Sequence, residues 1–236
     1  MKIDKTLLLI QKKLIDDFET INNIFAIQNI KWWAHSGTLL GAVREGGLIK
    51  WDDDIDMAMS FETFSQNKTK IMKILEEMDY VLEHFSIDSN KSIIAHIYPK
   101  NPIYVSGKKR YPFIDIMITV PESKRIPALS MIFPIFTSFH FKNDWRRLFI
   151  PKWLVHRAVN KKYAKALKSD NPIQYKYDQW AYKRVSYDTT KLVKIDFEGT
   201  KIYVNADYLQ ELNIWFGKDW RTPKVNSWQK KNKWVN

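Results

Sequence analysis

At 236 residues and 28.2 kDa, with 45% hydrophobic and 14% aromatic residues, the chain has the make-up of one sizeable core, or one domain plus an extension, and is too short for two independent domains. The lack of cysteine excludes disulfides and every thiolate metal site. A formal net charge of +12 calls for an anionic partner: nucleic acid, an acidic membrane face, or a phosphorylated donor and glycan. Seven Gly and nine Pro are too few for long flexible linkers, and no internal repeat is visible.

In chain order, the apolar run at residues 7–10 is short for a signal peptide, and no stretch approaches the roughly 18 apolar residues of a membrane span, so a cytoplasmic protein is expected. Leu7, Leu8, Leu14, Ile15, Phe18, Ile21, Ile24 and Phe25 recur near helical spacing, which predicts an amphipathic helix over 5–25 with Asp4 as its cap. Residues 30–33 read as a short strand, Ser36-Gly37 as a tight turn and 38–44 as a helix, followed by a reversal at Gly46-Gly47. A strand, small-residue turn and helix start suit a phosphate, because free backbone N–H groups and the positive end of the helix dipole meet there.

The run Trp51-Asp52-Asp53-Asp54-Ile55-Asp56-Met57-Ala58-Met59 is the most distinctive stretch of the chain. Four carboxylates in five positions repel one another unless something positive neutralises them. In a strand over 55–59, Asp54 and Asp56 share one face while Ile55, Met57 and Met59 face a core. Two such carboxylates can share a hard cation such as magnesium, with manganese as a substitute. Asp52 joins that face if the strand begins early, whereas Asp53 would point away. An EF-hand starting at Asp52 would need Gly at its sixth position and Glu at its twelfth, where Met57 and Thr63 stand. No P-loop or nucleophile-elbow motif is present.

Ser60 is placed to cap a helix reaching Met78, and strands are expected over 80–85, 92–98 and 113–120. The last is apolar except for Asp115, which is either a buried acid paired with a base or a third metal ligand or general base. Arg44 is either a bidentate phosphate ligand or a structural partner of the acidic run. His35 reads more readily as a hydrogen-bonded structural residue than as a catalyst. Residues 142–168 interleave Arg and Lys with Trp, Phe and Tyr, as a surface helix or a segment lying on an anionic membrane would. A hairpin about Glu198-Gly199 and a helix capped by Asn205 and stopped by Gly217 close the chain.

The segment Gly37-Thr38-Leu39-Leu40-Gly41-Ala42-Val43-Arg44, then Gly46-Gly47-Leu48-Ile49 and Trp51-Asp52-Asp53-Asp54-Ile55-Asp56, closely resembles the LicD family of phosphotransferases, whose wider circle includes fukutin and fukutin-related protein. Phe216-Gly217-Lys218-Asp219-Trp220-Arg221-Thr222-Pro223 resembles the family's closing segment. The resemblance implies an α/β (α+β) fold of nucleotidyltransferase type: a small mixed sheet flanked by helices, in one domain over 1–236. Its parts would be a catalytic core over 1–122, a basic helical insertion over 123–190, and a hairpin with a helix over 191–236.

It further implies metal-dependent transfer of phosphocholine, or a related phospho-substituent, from CDP-choline or another CDP-linked donor. The acceptor would be a hydroxyl of a glycan or lipid-linked glycan, such as a lipopolysaccharide or teichoic acid precursor, met at the inner membrane face. Asp54, Asp56 and Asp115 would be catalytic and hold Mg2+, with Asp52 as an outer ligand. Ser36, Gly37, Thr38 and Arg44 would bind the donor phosphates. Two rivals stand beside this reading: nucleotidyl transfer to a small molecule or RNA end, and a non-catalytic basic module that binds RNA or membrane.

Overall fold

A computed structural model describes residues 4–87, 93–105, 107–121, 174–178, 184–188 and 191–225. The chain opens with α1 (Lys5–Ile27), capped by the Asp4 carboxylate, which accepts from the Thr6 N–H. Its apolar stripe is Leu7, Ile10, Leu14, Phe18, Ile21 and Phe25, while Leu8 lies half exposed on the outer side. The spacing i, i+3, i+4 selects Ile10 for that stripe and turns Leu8 outward.

Next come β1 (Trp33–Ala34), α2 (Ser36–Glu45), β2 (Asp54–Ser60), α3 (Phe61–Glu77), β3 (Tyr80–Ile87) and β4 (Ile93–Pro99). The small strands β5 (Ile103–Val105) and β6 (Lys108–Arg110) precede β7 (Phe113–Pro121). Strands β8 (Gln174–Asp178) and β9 (Arg184–Asp188), the hairpin β10 (Leu192–Phe197) with β11 (Thr200–Asn205), and α4 (Tyr208–Phe216) complete it. Ser60 caps α3 through the Thr63 N–H, as its position predicts. At the final helix the cap differs from expectation. Asn205 ends β11 and its side chain accepts from the Asp207 N–H in a turn, so Asp207 occupies the cap position.

The main sheet has the order β1-β2-β7-β4-β3, and β8 extends from β7 with β9 beside it. Strands β2 and β7 are parallel and the other pairs antiparallel, because the chain passes through α3 and the β3–β4 pair before returning beside β2. This is a mixed sheet flanked by helices, as the sequence implies. The stretch read as a helical insertion contains the β8–β9 pair, while the basic run 142–168 lies outside the described residues.

Register sorts the sheet's two faces. Ile55, Ile114, Ile97 and Leu82 stand abreast across β2, β7, β4 and β3, and each is at most 6% exposed. With Met57, Ile116 and Ala95 one row on, they form a core shared with α1 and with Phe64, Ile71 and Leu75 of α3. On the opposite face Trp33, Ala58, Met117 and Trp215 make a smaller cluster, which brings α4 over one end of β2 and leaves the other end for polar groups.

The reversal after α2 is held in place by the distant hairpin. Gly46 adopts φ 74°, the left-handed value that ends a helix cheaply only with glycine. The Glu198 N–H donates to the Gly46 carbonyl at 3.0 Å, and the Glu198 carboxylate accepts from the Leu48 N–H at 2.7 Å. One turn earlier, a β-carbon at Gly41 would lie 2.4 Å from the Gly47 carbonyl oxygen, a backbone atom that cannot swing away. Gly41→Ala should therefore cost about 2 kcal/mol despite alanine's better helix propensity. Urea unfolding of the two proteins checks this, and an alanine variant at least as stable as its parent would contradict it.

Candidate active site

The acidic run meets the sheet where β2 begins. Asp56 of β2 stands abreast of Asp115 of β7, and Asp54 abreast of Phe113. One oxygen from each of Asp54, Asp56 and Asp115 lies within 4.8 Å of the others, a spacing at which three carboxylates can share one hard cation. Asp52, Asp53 and Asp54 satisfy the same criterion. Asp53 thus joins the cluster, contrary to the strand-alternation argument, because β2 starts only at Asp54 and alternation does not reach back to it.

Local chemistry fixes Asp56 on three sides. Its Oδ2 accepts from the Gly37 N–H at 2.9 Å, its own N–H donates to Thr38 Oγ1 at 2.7 Å, and its carbonyl accepts from the His35 N–H at 3.2 Å. The start of α2 is thereby bonded directly to the strand carrying the acids. A β-carbon at Gly37 would sit 2.6 Å from Asp52 Oδ2 and 3.3 Å from Asp56 Oδ2, so the carboxylates close over a position only glycine leaves open. Gln11 on α1 holds the preceding loop, donating to the carbonyls of Ile49 at 3.0 Å and Asp52 at 2.8 Å.

Burial and mutual repulsion disfavour ionisation here. Desolvation first, then the charges of Asp56 and Asp53, push the Asp52 carboxyl up to about 8. The same two causes raise Asp54 well above the ordinary carboxylate range. Asp56 rises to about 6, through burial and the neighbouring Asp115, while His35 and the Gly37 N–H hold it lower than it would otherwise be. A cluster of this kind has a deficit of positive charge, which a divalent cation would supply.

A cleft of about 670 Å³ opens beside the cluster. Ser36, Gly37, Arg44, the carboxylates of Asp52, Asp53, Asp54 and Asp56, and Phe216, Trp220, Thr222 and Lys224 are among the residues that line it. Of the expected phosphate-binding residues, Thr38 is the exception: it is 2% exposed, does not line the cleft, and its hydroxyl oxygen receives the Asp56 N–H. Arg44 Nε and Nη2 donate to Glu45 Oε1 at 3.1 and 2.7 Å, and Nη1 reaches the Trp220 carbonyl at 3.3 Å. Its guanidinium also lies 5.9 Å from the centre of the Trp51 ring. Arg44 therefore ties the closing segment to α2 while lining the cleft.

Two partnerships are not legible in the sequence. His96 of β4 stands abreast of Asp115 and its Nδ1 lies 2.5 Å from Asp115 Oδ1, a contact that raises the imidazole's affinity for its proton. Behind the site, His35 Nδ1 lies 2.8 Å from Glu211 Oε1, with the two side chains 1% and 2% exposed. The histidine is structural in the sense expected, but its partner is 176 positions away, where no local pattern could show it.

The model of the family described as "LicD/FKTN/FKRP, nucleotidyltransferase domain" matches residues 29–147, half of the chain. The chain belongs to the LicD family. The matched stretch contains β2, β7 and every acid of the cluster, and the family takes in fukutin and fukutin-related protein. Among curated relatives, an uncharacterized protein of Rickettsia typhi is 33% identical over 89 residues, 38% of this chain and 27% of that protein. Another, of Rickettsia prowazekii, is 41% identical over 56 residues, 24% of this chain and 21% of that protein. This LicD-family chain therefore matches only about a quarter of each relative's length. Among solved structures, the lincosamide antibiotic adenylyltransferase LnuA, lincomycin-bound, is similar at a TM-score of 0.40 and 12% identity, covering 98% of this chain and 97% of that one.

Proposed function

We propose that this LicD-family protein transfers phosphocholine, or a related phospho-substituent, from a CDP-linked donor to a hydroxyl of a cell-surface glycan precursor. The observation that carries the reading is the convergence of Asp54, Asp56 and Asp115 from two parallel strands, beside a cleft that could admit a nucleotide diphosphate. Magnesium fits this set, since hard carboxylate oxygens converge and their raised proton affinities register a missing positive charge. When bound, it would neutralise charge on the transferring phosphoryl group and on the departing oxygen. Asp54, Asp56 and Asp115 would hold it, with Asp52 as an outer ligand.

The other groups orient the substrates. Ser36 and Arg44 offer a hydroxyl and a guanidinium to the donor phosphates, and Thr38 supports them from behind by anchoring Asp56. Phe216 and Trp220 line the same cleft, as does Lys224, which is ion-paired with Asp219. The acceptor hydroxyl would attack phosphorus as CMP departs, giving up its proton to a carboxylate of the cluster.

The deciding experiment incubates the protein with magnesium and a panel of CDP-linked donors, with and without a glycan acceptor, and follows CMP. Acceptor-dependent CMP release that EDTA abolishes is the expected result. Pyrophosphate release from a nucleoside triphosphate would instead favour nucleotidyl transfer, the activity named in the family's description. Salt-sensitive RNA or vesicle binding that survives loss of the acids, without turnover, would favour the non-catalytic alternative. Arg44→Ala should raise the donor KM about tenfold, the loss of roughly 1.4 kcal/mol from one charge-assisted contact, with a smaller change in kcat. An unchanged donor titration would remove Arg44 from phosphate binding.

Among the described helices, none is long and apolar enough to cross a membrane. A place at the inner membrane face, with a lipid-linked acceptor, belongs to the same proposal and is supported by the net charge of +12.

A further inference from the structure

A second hollow, of about 620 Å³, lies on the same face of the sheet as the acids. Val81 and Glu83 of β3, His96, Tyr98 and Lys100 from β4 and its end, and Tyr111 and Phe113 at the start of β7 line it. Register connects it to the acidic cluster. Asp56, Asp115, His96 and Glu83 stand abreast across β2, β7, β4 and β3, so the row of acids runs directly into the groove through the His96–Asp115 contact.

The donor-side cleft is lined by Asp54 and Asp56 but by neither Asp115 nor His96. The groove is lined by His96 but by none of the acids of β2. The two hollows thus flank the triad with Asp115 between them. Displacement at phosphorus places the attacking and leaving oxygens roughly in line, on opposite sides of the transferred group, so the two substrates must approach from opposite sides.

The lining also states a chemistry. The Tyr98 and Tyr111 rings stand edge to face at 6.2 Å, and those of His96 and Phe113 at 5.9 Å. Tyr111 is 45% exposed, leaving ring surface available to a ligand. The Tyr98 hydroxyl donates to Glu83 at 3.3 Å, and Lys100 is paired only loosely with Asp79, at 3.8 Å. Aromatic faces flanked by a carboxylate and an ammonium can hold a flat apolar surface while hydrogen-bonding its polar rim. A pyranose ring presents that combination, with C–H groups on one face and hydroxyls around the edge.

We propose that this groove is the acceptor subsite and that it binds a sugar ring of the glycan, directing one hydroxyl at Asp115. The assignment rests on reading the protein as a CDP-dependent transferase. In the step it serves, the acceptor oxygen bonds to the phosphorus bearing the substituent. The bond from that phosphorus to the bridging oxygen of the donor breaks, CMP leaves with the electron pair, and the hydroxyl proton passes to the Asp115 carboxylate.

The test uses the full chain and three probes: methyl glucopyranoside, methyl galactopyranoside and N-acetylglucosamine, each followed by saturation-transfer NMR without donor. At least one sugar should receive saturation, most strongly at its ring C–H protons. Tyr111→Ala and Lys100→Ala, both at exposed positions, should weaken it, whereas Asp54→Asn should retain it. Absence of transfer to all three sugars would overturn the proposal, as would undiminished transfer in Tyr111→Ala. The two readings fail separately. Sugar binding through Tyr111 without CMP release from any donor would leave the groove standing and remove the CDP-dependent transfer. CMP release whose acceptor KM ignores Tyr111→Ala would do the reverse.

Discussion

Replacing Asp56 by Asn should abolish turnover and, in the metal-free protein, raise thermal stability near neutral pH and above. The loss of activity follows from the place of Asp56 at the centre of the carboxylate set, between Asp54 on its own strand and Asp115 abreast of it. Asparagine keeps an oxygen able to accept the Gly37 N–H, so the α2–β2 connection survives the change. The gain in stability follows from proton linkage. An acid whose proton affinity is higher in the fold than in the unfolded chain stabilises the fold below the unfolded value, and that contribution is lost as pH rises through the folded value.

For Asp56 this window runs from the ordinary carboxylate range to about 6, and for Asp52 to about 8. Stability of the metal-free protein should therefore fall between about pH 4 and pH 8. Melting curves in EDTA should show Asp56→Asn above its parent near pH 8, with the gap closing toward pH 4. Magnesium should raise the parent's melting temperature and leave the variant's nearly unchanged. Asp54→Asn should follow the same pattern in activity and in its response to magnesium. Full turnover in either variant would remove that residue from the mechanism. A metal-free parent equally stable at both ends of the range would contradict the electrostatic account.

The second large effect concerns a residue outside the cleft. Glu211→Ala should lower stability by about 3 kcal/mol, because it leaves a buried imidazole without its carboxylate partner. For a chain of this size that is a fall of roughly 10 °C in melting temperature. The damage should reach the site, since His35 precedes α2, donates its N–H to the Asp56 carbonyl and packs edge to face on Trp215 at 5.6 Å. A double-mutant cycle with His35→Ala checks the cause. If the two losses simply add, the contact is not what Glu211 contributes.

Much of the site is legible in the sequence because its parts are local. The spacing of Asp54 and Asp56 within an apolar run identifies a strand with both acids on one face, and Ser60 and Asp4 announce the helix starts. Asp115 is harder, since a lone acid in an apolar strand has a structural explanation as plausible as a functional one. Its place beside Asp56 comes from the parallel register of β2 and β7, which only the fold supplies. His96 is invisible for the same reason, being selected by strand neighbourhood alone. Thr38 illustrates the opposite failure. Its position in the motif suits a phosphate, yet helix α2 begins two residues earlier than its polar pattern suggests and turns the hydroxyl back onto β2.

The clasp between Gly46 and Glu198 bears on how this domain can be divided. The family match ends before the hairpin that carries Glu198, before Glu211, and before Trp220 in the lining of the cleft; it begins after Phe18, which packs at 5.5 Å on both Trp32 and Phe197. A recombinant fragment trimmed to residues 29–147 would expose the flanks of its own core and lack Phe216, Trp220, Thr222, Lys224 and Val225 from the lining of its cleft. Expression boundaries for this protein should accordingly follow the interlocked architecture, keeping α1 and the β10–α4 unit on the same polypeptide.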